Sequence, residues 1–137
     1  MRLRKIWLLC NLVCIIPSAF AQQFIHPGVL HSEKSLERIK RLVDQKAQPA
    51  YGSYEILAKL PEARADYQMK GPFEIISRDG KYGYTKGPSE RDFNSAYYNA
   101  LLWKITGKKA HADKSMEIIR AYARTVRQIP PTNDAPL

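Results

Sequence analysis

Four side chains in one long segment could bind a negatively charged, ring-containing ligand. Arg78 and Lys81 carry positive charge, and Tyr82 and Tyr84 carry aromatic rings. They lie between residues 61 and 88, a stretch with three prolines and four of the seven glycines. A loop of this length is uncommon in a compact domain and is usually functional or disordered. We therefore predict a functional segment here, with a disordered surface loop as the alternative.

The three histidines do not have the spacing of a metal site. His26 and His31 flank a Pro-Gly turn, and His111 lies near the start of a predicted helix. An isolated histidine carries no mechanism by itself, so structural or surface roles are the simpler interpretation. We predict no metal and no other cofactor.

The first 21 residues are typical of a secretory signal peptide. Basic residues precede an apolar run at 6–16, and Ala19-Phe20-Ala21 forms a small-residue cleavage site. A membrane-spanning helix needs roughly 20 apolar residues, which exceeds this run. We expect residues 22–137 to be exported to the periplasm or the medium, with no membrane contact after cleavage.

Composition narrows the class of partner. The chain has 22 Lys and Arg against 13 Asp and Glu, a net charge of +9, and 45% hydrophobic residues, which excludes a disordered tail. Both cysteines, Cys10 and Cys14, fall in the predicted signal peptide, so a disulfide cannot stabilise the exported part. Positive charge outside the cytoplasm suits an acidic polysaccharide. No nucleic-acid-binding motif occurs, and we expect no nucleic-acid partner.

Helical periodicity predicts the elements that hold the loop. Apolar residues at helical spacing predict helices over about 32–46 and 50–60, and then from Ser89 to Gly107 and over 110–128. Ser32 is the predicted N-cap of the first helix. A strand-like run occurs only at 73–76. The predicted class is all-α, with the last two helices forming an antiparallel hairpin.

The third predicted helix has two notable features. Ser89 and Asp92 have the spacing of a capping box. The helix also carries a broad apolar face that needs packing partners, made of Phe93, Ala96, Tyr97, Ala100, Leu101 and Trp103. This width predicts the first part of a larger all-helical protein, and the sequence after Thr132 looks like a connection to a further helix. The alternatives are a self-sufficient bundle and an obligate oligomer.

Several stretches resemble the alginate lyase family of polysaccharide lyases. Phe-Ile-His-Pro-Gly-Val-Leu-His-Ser at 24–32, followed by Leu-Glu-Arg-Ile-Lys at 36–40, is similar to the opening segment of that family. Residues 96–107 and 110–123 resemble its first full helical hairpin, and Asn-Asp-Ala-Pro-Leu at 133–137 resembles the run into its next helix. The resemblance implies that residues 22–137 begin an incomplete (α/α) toroid of helical hairpins.

The resemblance also implies an activity. Lyases of this kind cleave uronic-acid polymers by β-elimination, using an Asn-His pair, an Arg and a Tyr on later helices. No Asn-His pair occurs in this sequence, so we assign no catalytic residue and expect this portion to be inactive alone. Loop segments of the family can act as a mobile lid over the substrate groove. The resemblance implies this role for the segment with Arg78, Lys81, Tyr82 and Tyr84, as substrate-binding residues whose charges would suit sugar carboxylates and whose rings would stack on sugars.

Two further candidates are weaker. Asn94 and Tyr98 lie on the helix after the loop, where such residues are more often surface and core, respectively. The competing hypothesis for the whole chain is a non-catalytic exported helical module that binds a partner protein through its hairpin face.

Overall fold

The computed structural model describes residues 30–130. Residues 1–29, which include the predicted signal peptide and His26, lie outside this range, as do residues 131–137. The described residues form four α-helices and two short 3-10 turns, with no named strand, so the predicted all-α class is confirmed. The helices are α1 (Glu33–Asp44), α2 (Ala50–Lys59), α3 (Lys86–Thr106) and α4 (Lys109–Thr125), and the 3-10 turns are Pro61–Ala63 and Gly80–Thr85. The toroid stays a prediction.

The first helix begins where the sequence predicts. The Ser32 side chain accepts a hydrogen bond from the Ser35 backbone N–H at 3.2 Å, which satisfies one of the unpaired donors of the first turn. Leu36 and Val43 form its buried side. The second helix has no fully buried residue, so it is the most weakly anchored of the four.

The α3–α4 hairpin turns at Gly107. This residue has φ 72°, a left-handed conformation that glycine adopts without steric cost, and its N–H donates to the Trp103 carbonyl at 2.7 Å. A core cluster of Tyr67, Ala96, Ile118 and Tyr122 joins the hairpin to the preceding loop. None of the described helices is long and apolar enough to cross a membrane.

The predicted capping box is wrong. The 3-10 turn runs directly into α3, which starts at Lys86 rather than Ser89. Pro88 is accommodated because the first turn of a helix does not need its own N–H donors. Ser89 donates from its hydroxyl to the Lys86 carbonyl at 3.0 Å, and Asp92 is fully buried one turn further along.

The end of α4 and the run at residues 73–76 both differ from prediction, because these two parts of the chain pair with each other. Residues 73–76 do not form a strand but make one isolated parallel bridge between Ile75 and Gln128. Backbone N–H groups of Arg127 and Ile76 complete it, donating to Glu74 and Gln128 carbonyls at 2.8 and 3.2 Å. Helix α4 therefore stops at Thr125 instead of continuing to Gln128, because the following residues pair with the loop.

Helix α3 buries a polar side and leaves aromatic residues half exposed. Its buried residues include Ser89, Asp92, Ser95 and Asn99, interspersed with Ala96, Leu102 and Ile105. Phe93, Tyr97 and Trp103 of the predicted apolar face remain 39–40% exposed. Tertiary hydrogen bonds therefore act together with apolar packing in deciding which side of α3 faces the hairpin core.

Candidate functional site

The predicted site residues lie on one surface segment, residues 78–84, called the basic loop below. Arg78 and Lys81 are exposed, Tyr82 is half buried and Tyr84 is 68% exposed. The Lys81 Nζ lies 5.3 Å from the centroid of the Tyr82 ring, a cation–π contact. Tyr84 meets Phe73 edge to face with centroids 6.4 Å apart. The structure therefore brings Lys81 and Tyr82 together and presents Tyr84 at the surface.

Two buried hydroxyls hold the base of the basic loop. Thr85 Oγ1 accepts from the Ser77 N–H at 3.0 Å and donates to the Tyr82 carbonyl at 2.8 Å. The Ser77 hydroxyl donates to the Asp79 carbonyl at 2.9 Å. Gly80, at φ 64°, makes the turn between these bonds. The loop is thus a closed turn whose base is fixed, and the predicted lid movement stays a prediction.

A buried carboxylate lies beneath the segment that precedes the basic loop. Asp92 Oδ1 accepts from the Tyr67 hydroxyl at 2.9 Å and the Lys70 N–H at 2.8 Å. Its Oδ2 accepts from the Gly71 N–H at 2.8 Å and the Tyr122 hydroxyl at 2.7 Å. This Asp92 cluster ties residues 67–71 to both helices of the hairpin. Sequence reasoning missed it, because the donors are 21 to 30 residues from Asp92.

The hydrogen bonds of the Asp92 cluster hold its segments together and do not transfer protons. Burial, followed by the hydrogen bond to the Asp92 carboxylate, raises the pKa of both Tyr67 and Tyr122 above the ordinary value of 10.0. Both phenols therefore keep their protons at neutral pH and act as donors. Gly71 is required beside them, because a Cβ there would collide with the Tyr122 hydroxyl and approach the Phe73 ring at 2.9 Å.

A second polar cluster joins α3 to the start of α4. The buried Asn99 donates through Nδ2 to the Glu62 and Arg64 carbonyls at 3.2 and 3.3 Å. Its Oδ1 lies 2.7 Å from His111 Nδ1. Because the amide nitrogen faces carbonyl groups, Oδ1 is the acceptor and His111 Nδ1 carries the proton. Sequence reasoning identified His111 without its partner.

Acid is expected to destabilise the chain through His111. Burial, and then the nearby Lys108 charge, lower the pKa of His111 below 6.5. The unfolded state then binds a proton that the folded state resists. This stability is therefore present above pH 6.5 and is lost as pH falls toward the lowered value. Urea midpoints measured from about pH 8 to about pH 5 should fall.

The control for this pH effect is His111→Gln, which removes the titrating ring. The variant is expected to be less stable at neutral pH but to show a shallower loss on acidification. An unchanged pH dependence in the variant would assign the acid sensitivity to other groups.

An apolar groove of about 300 Å³ lies between the start of α1 and α3. It is called the α1–α3 groove and is lined by Leu30, His31, Leu36, Tyr97, Ala100, Leu101, Trp103 and Lys104. At its edge, His31 Nε2 lies 2.9 Å from the Tyr97 hydroxyl and the two rings stack at 6.4 Å. Lys104 Nζ lies 4.8 Å from the centroid of the Trp103 ring. The two weaker candidates are also on α3 but do not line this groove, and Asn94 is exposed while Tyr98 is half buried.

Comparisons with known proteins add no family. No protein-family model, curated protein or solved structure matches the chain. The alginate lyase resemblance therefore stays a prediction. Within residues 30–130, no group of three or more His, Cys, Asp or Glu side chains could hold a metal ion.

Proposed function

We propose that this chain is the amino-terminal part of an exported polysaccharide lyase that cleaves uronic-acid polymers such as alginate by β-elimination. In this proposal the basic loop binds the acidic substrate, and no described residue is given the role of abstracting or donating a proton. Neutralising the sugar carboxylate is the first requirement of β-elimination, because it acidifies the adjacent C5 proton. Arg78 and Lys81 would serve substrate binding, and no catalytic residue is assigned.

The observation that carries this proposal is the arrangement of the basic loop. Lys81, Tyr82 and Tyr84 combine a cation with two rings on one exposed turn. The buried Ser77 and Thr85 hydroxyls hold that turn, so little conformational entropy is lost when a ligand binds. A polymer of negatively charged sugar rings is the class of ligand that would contact both the cation and the aromatic rings.

Removing the two cations of the basic loop is expected to weaken alginate binding. For Arg78→Ala with Lys81→Ala, we expect the dissociation constant to rise about tenfold, the equivalent of about 1.4 kcal/mol for lost charge-assisted contacts. Binding should also weaken with added salt. Isothermal titration calorimetry with alginate oligomers measures both effects.

The matched control removes the same charge elsewhere. Lys108→Ala with Lys109→Ala lies at the far end of α3, about 30 Å along the helix from the loop. Its affinity should stay near that of the parent chain. Equal losses of affinity in the two variants would show that binding depends only on net charge. That result would contradict a binding role for the loop.

The activity itself is tested on the full-length gene product. Cleavage by β-elimination creates an unsaturated uronate whose ultraviolet absorbance is followed directly. We expect product from alginate or another polyuronate and none from a neutral glucan. The absence of product from every polyuronate would contradict the lyase proposal, whatever the binding result.

A second candidate function is a non-catalytic protein-interaction module. The observation that favours it is the exposed apolar surface of the hairpin, where Phe93, Tyr97 and Trp103 on α3 and Met116 and Ile119 on α4 are 39–47% exposed. Exposed apolar surface is one of the features that mark protein–protein interaction sites. A stable complex with a protein and no affinity for polyuronates would favour this candidate.

A further inference from the structure

The α1–α3 groove is apolar, and no described residue fills it. Leu30 is 72% exposed at its edge, and Trp103 is 40% exposed in its wall. The lining is dominated by aliphatic and aromatic carbon, with a single formal charge at Lys104. Such a lining suits an apolar side chain better than a sugar, which needs several hydrogen-bonding groups.

The chain itself supplies apolar side chains next to this groove. Residues 22–29, which lie outside the described residues, read Gln-Gln-Phe-Ile-His-Pro-Gly-Val. This segment is covalently attached to Leu30, a lining residue of the groove. Pro27-Gly28 is a turn signal between Leu30 and the apolar pair Phe24-Ile25.

We infer that the α1–α3 groove is the docking site of this chain's own segment 22–29, with Phe24 and Ile25 entering the groove. Ile25 and Phe24 precede Leu30 by five and six residue steps, a reach of roughly 17–22 Å when extended. Covalent attachment gives such a segment an effective concentration in the millimolar range, which favours it over a free partner or a second copy. The cavity is at the small end of ligand sites, a size that suits one or two side chains.

The fluorescence of Trp103 tests this docking. In the chain that starts at Gln22, which contains every described residue, Trp103 is the only tryptophan, because the other is Trp7. Phe24→Ser with Ile25→Ser should expose Trp103, giving a red shift of emission and stronger acrylamide quenching. The control, Gln22→Ser with Gln23→Ser, should leave both unchanged. Identical spectra for the two variants would overturn the inference.

Disulfide trapping identifies the occupant. The chain from Gln22 contains no cysteine, so introduced pairs report without interference. Ile25→Cys with Ala100→Cys, a lining position, should close within one chain faster than Ile25→Cys with Lys34→Cys, an exposed position on α1. Equal rates would overturn the inference. Bonds formed mainly between chains would overturn it in favour of a second copy.

Discussion

Replacing Asp92 with alanine is expected to lower the free energy of unfolding by about 3–5 kcal/mol, a large share of the about 5–15 kcal/mol of a typical domain. The side chain is fully buried and accepts hydrogen bonds from two tyrosine hydroxyls and two backbone N–H groups. Alanine leaves two buried hydroxyl donors and two partly buried N–H donors without an acceptor. Each buried unpaired donor costs about 1–3 kcal/mol when relaxation and water do not replace the lost bond. Urea denaturation followed by circular dichroism measures the loss.

Two comparisons show that the effect belongs to the hydrogen bonds. Asp92→Asn keeps the shape but turns an N–H₂ group toward donors, so its loss should be large as well. Glu90→Ala, at an exposed position of the same helix, should change little. A loss below about 1 kcal/mol for Asp92→Ala would show that water replaces the carboxylate and would contradict the role assigned to the cluster.

The tyrosines provide an independent measurement of the same cluster. Tyr67→Phe and Tyr122→Phe should each cost about 1.5–3 kcal/mol, the range for hydrogen bonds to a charged group. Combined with Asp92→Ala, each should show strong non-additivity, because the second change removes a partner that is already lost.

Replacing Asn99 with alanine has the second largest expected effect, a loss of about 2–4 kcal/mol. The change leaves the Glu62 and Arg64 carbonyls and the His111 Nδ1–H without their partner and opens a small cavity. Asn94→Ala is the matched control, since this residue is exposed on the same helix. Thermal and urea unfolding should separate the two variants.

Hydrogen exchange in the 3-10 turn Pro61–Ala63 provides a second measurement of the role of Asn99. Hydrogen exchange in residues 61–64 should accelerate in Asn99→Ala, because Asn99 links the turn to α3. Equal exchange in the parent and Asn99→Ala would show that core packing alone holds this turn, contrary to the role assigned to Asn99.

Much of the helical framework follows from local sequence signals. Apolar spacing, the Ser32 cap and the helix end at Gly107 predict four helices whose centres agree with the structure. The boundaries that were wrong have identifiable competitors. Helix α3 starts early because a 3-10 turn feeds into it, and α4 ends early because residues 126–128 pair with residues 74–76.

The features of the candidate site can likewise be separated into those that the sequence determines and those that depend on tertiary contacts. The sequence by itself determined the residue types of the basic loop, the four helices and the positive charge, since these depend on composition and near neighbours. Only the tertiary structure decided that Asp92 is buried among donors from two distant segments, that Asn99 orients His111, and that Tyr97 meets His31 beside a groove. These contacts join residues 12 to 66 positions apart, and no periodic pattern within a helix contains the information about which distant donors will satisfy a buried acceptor.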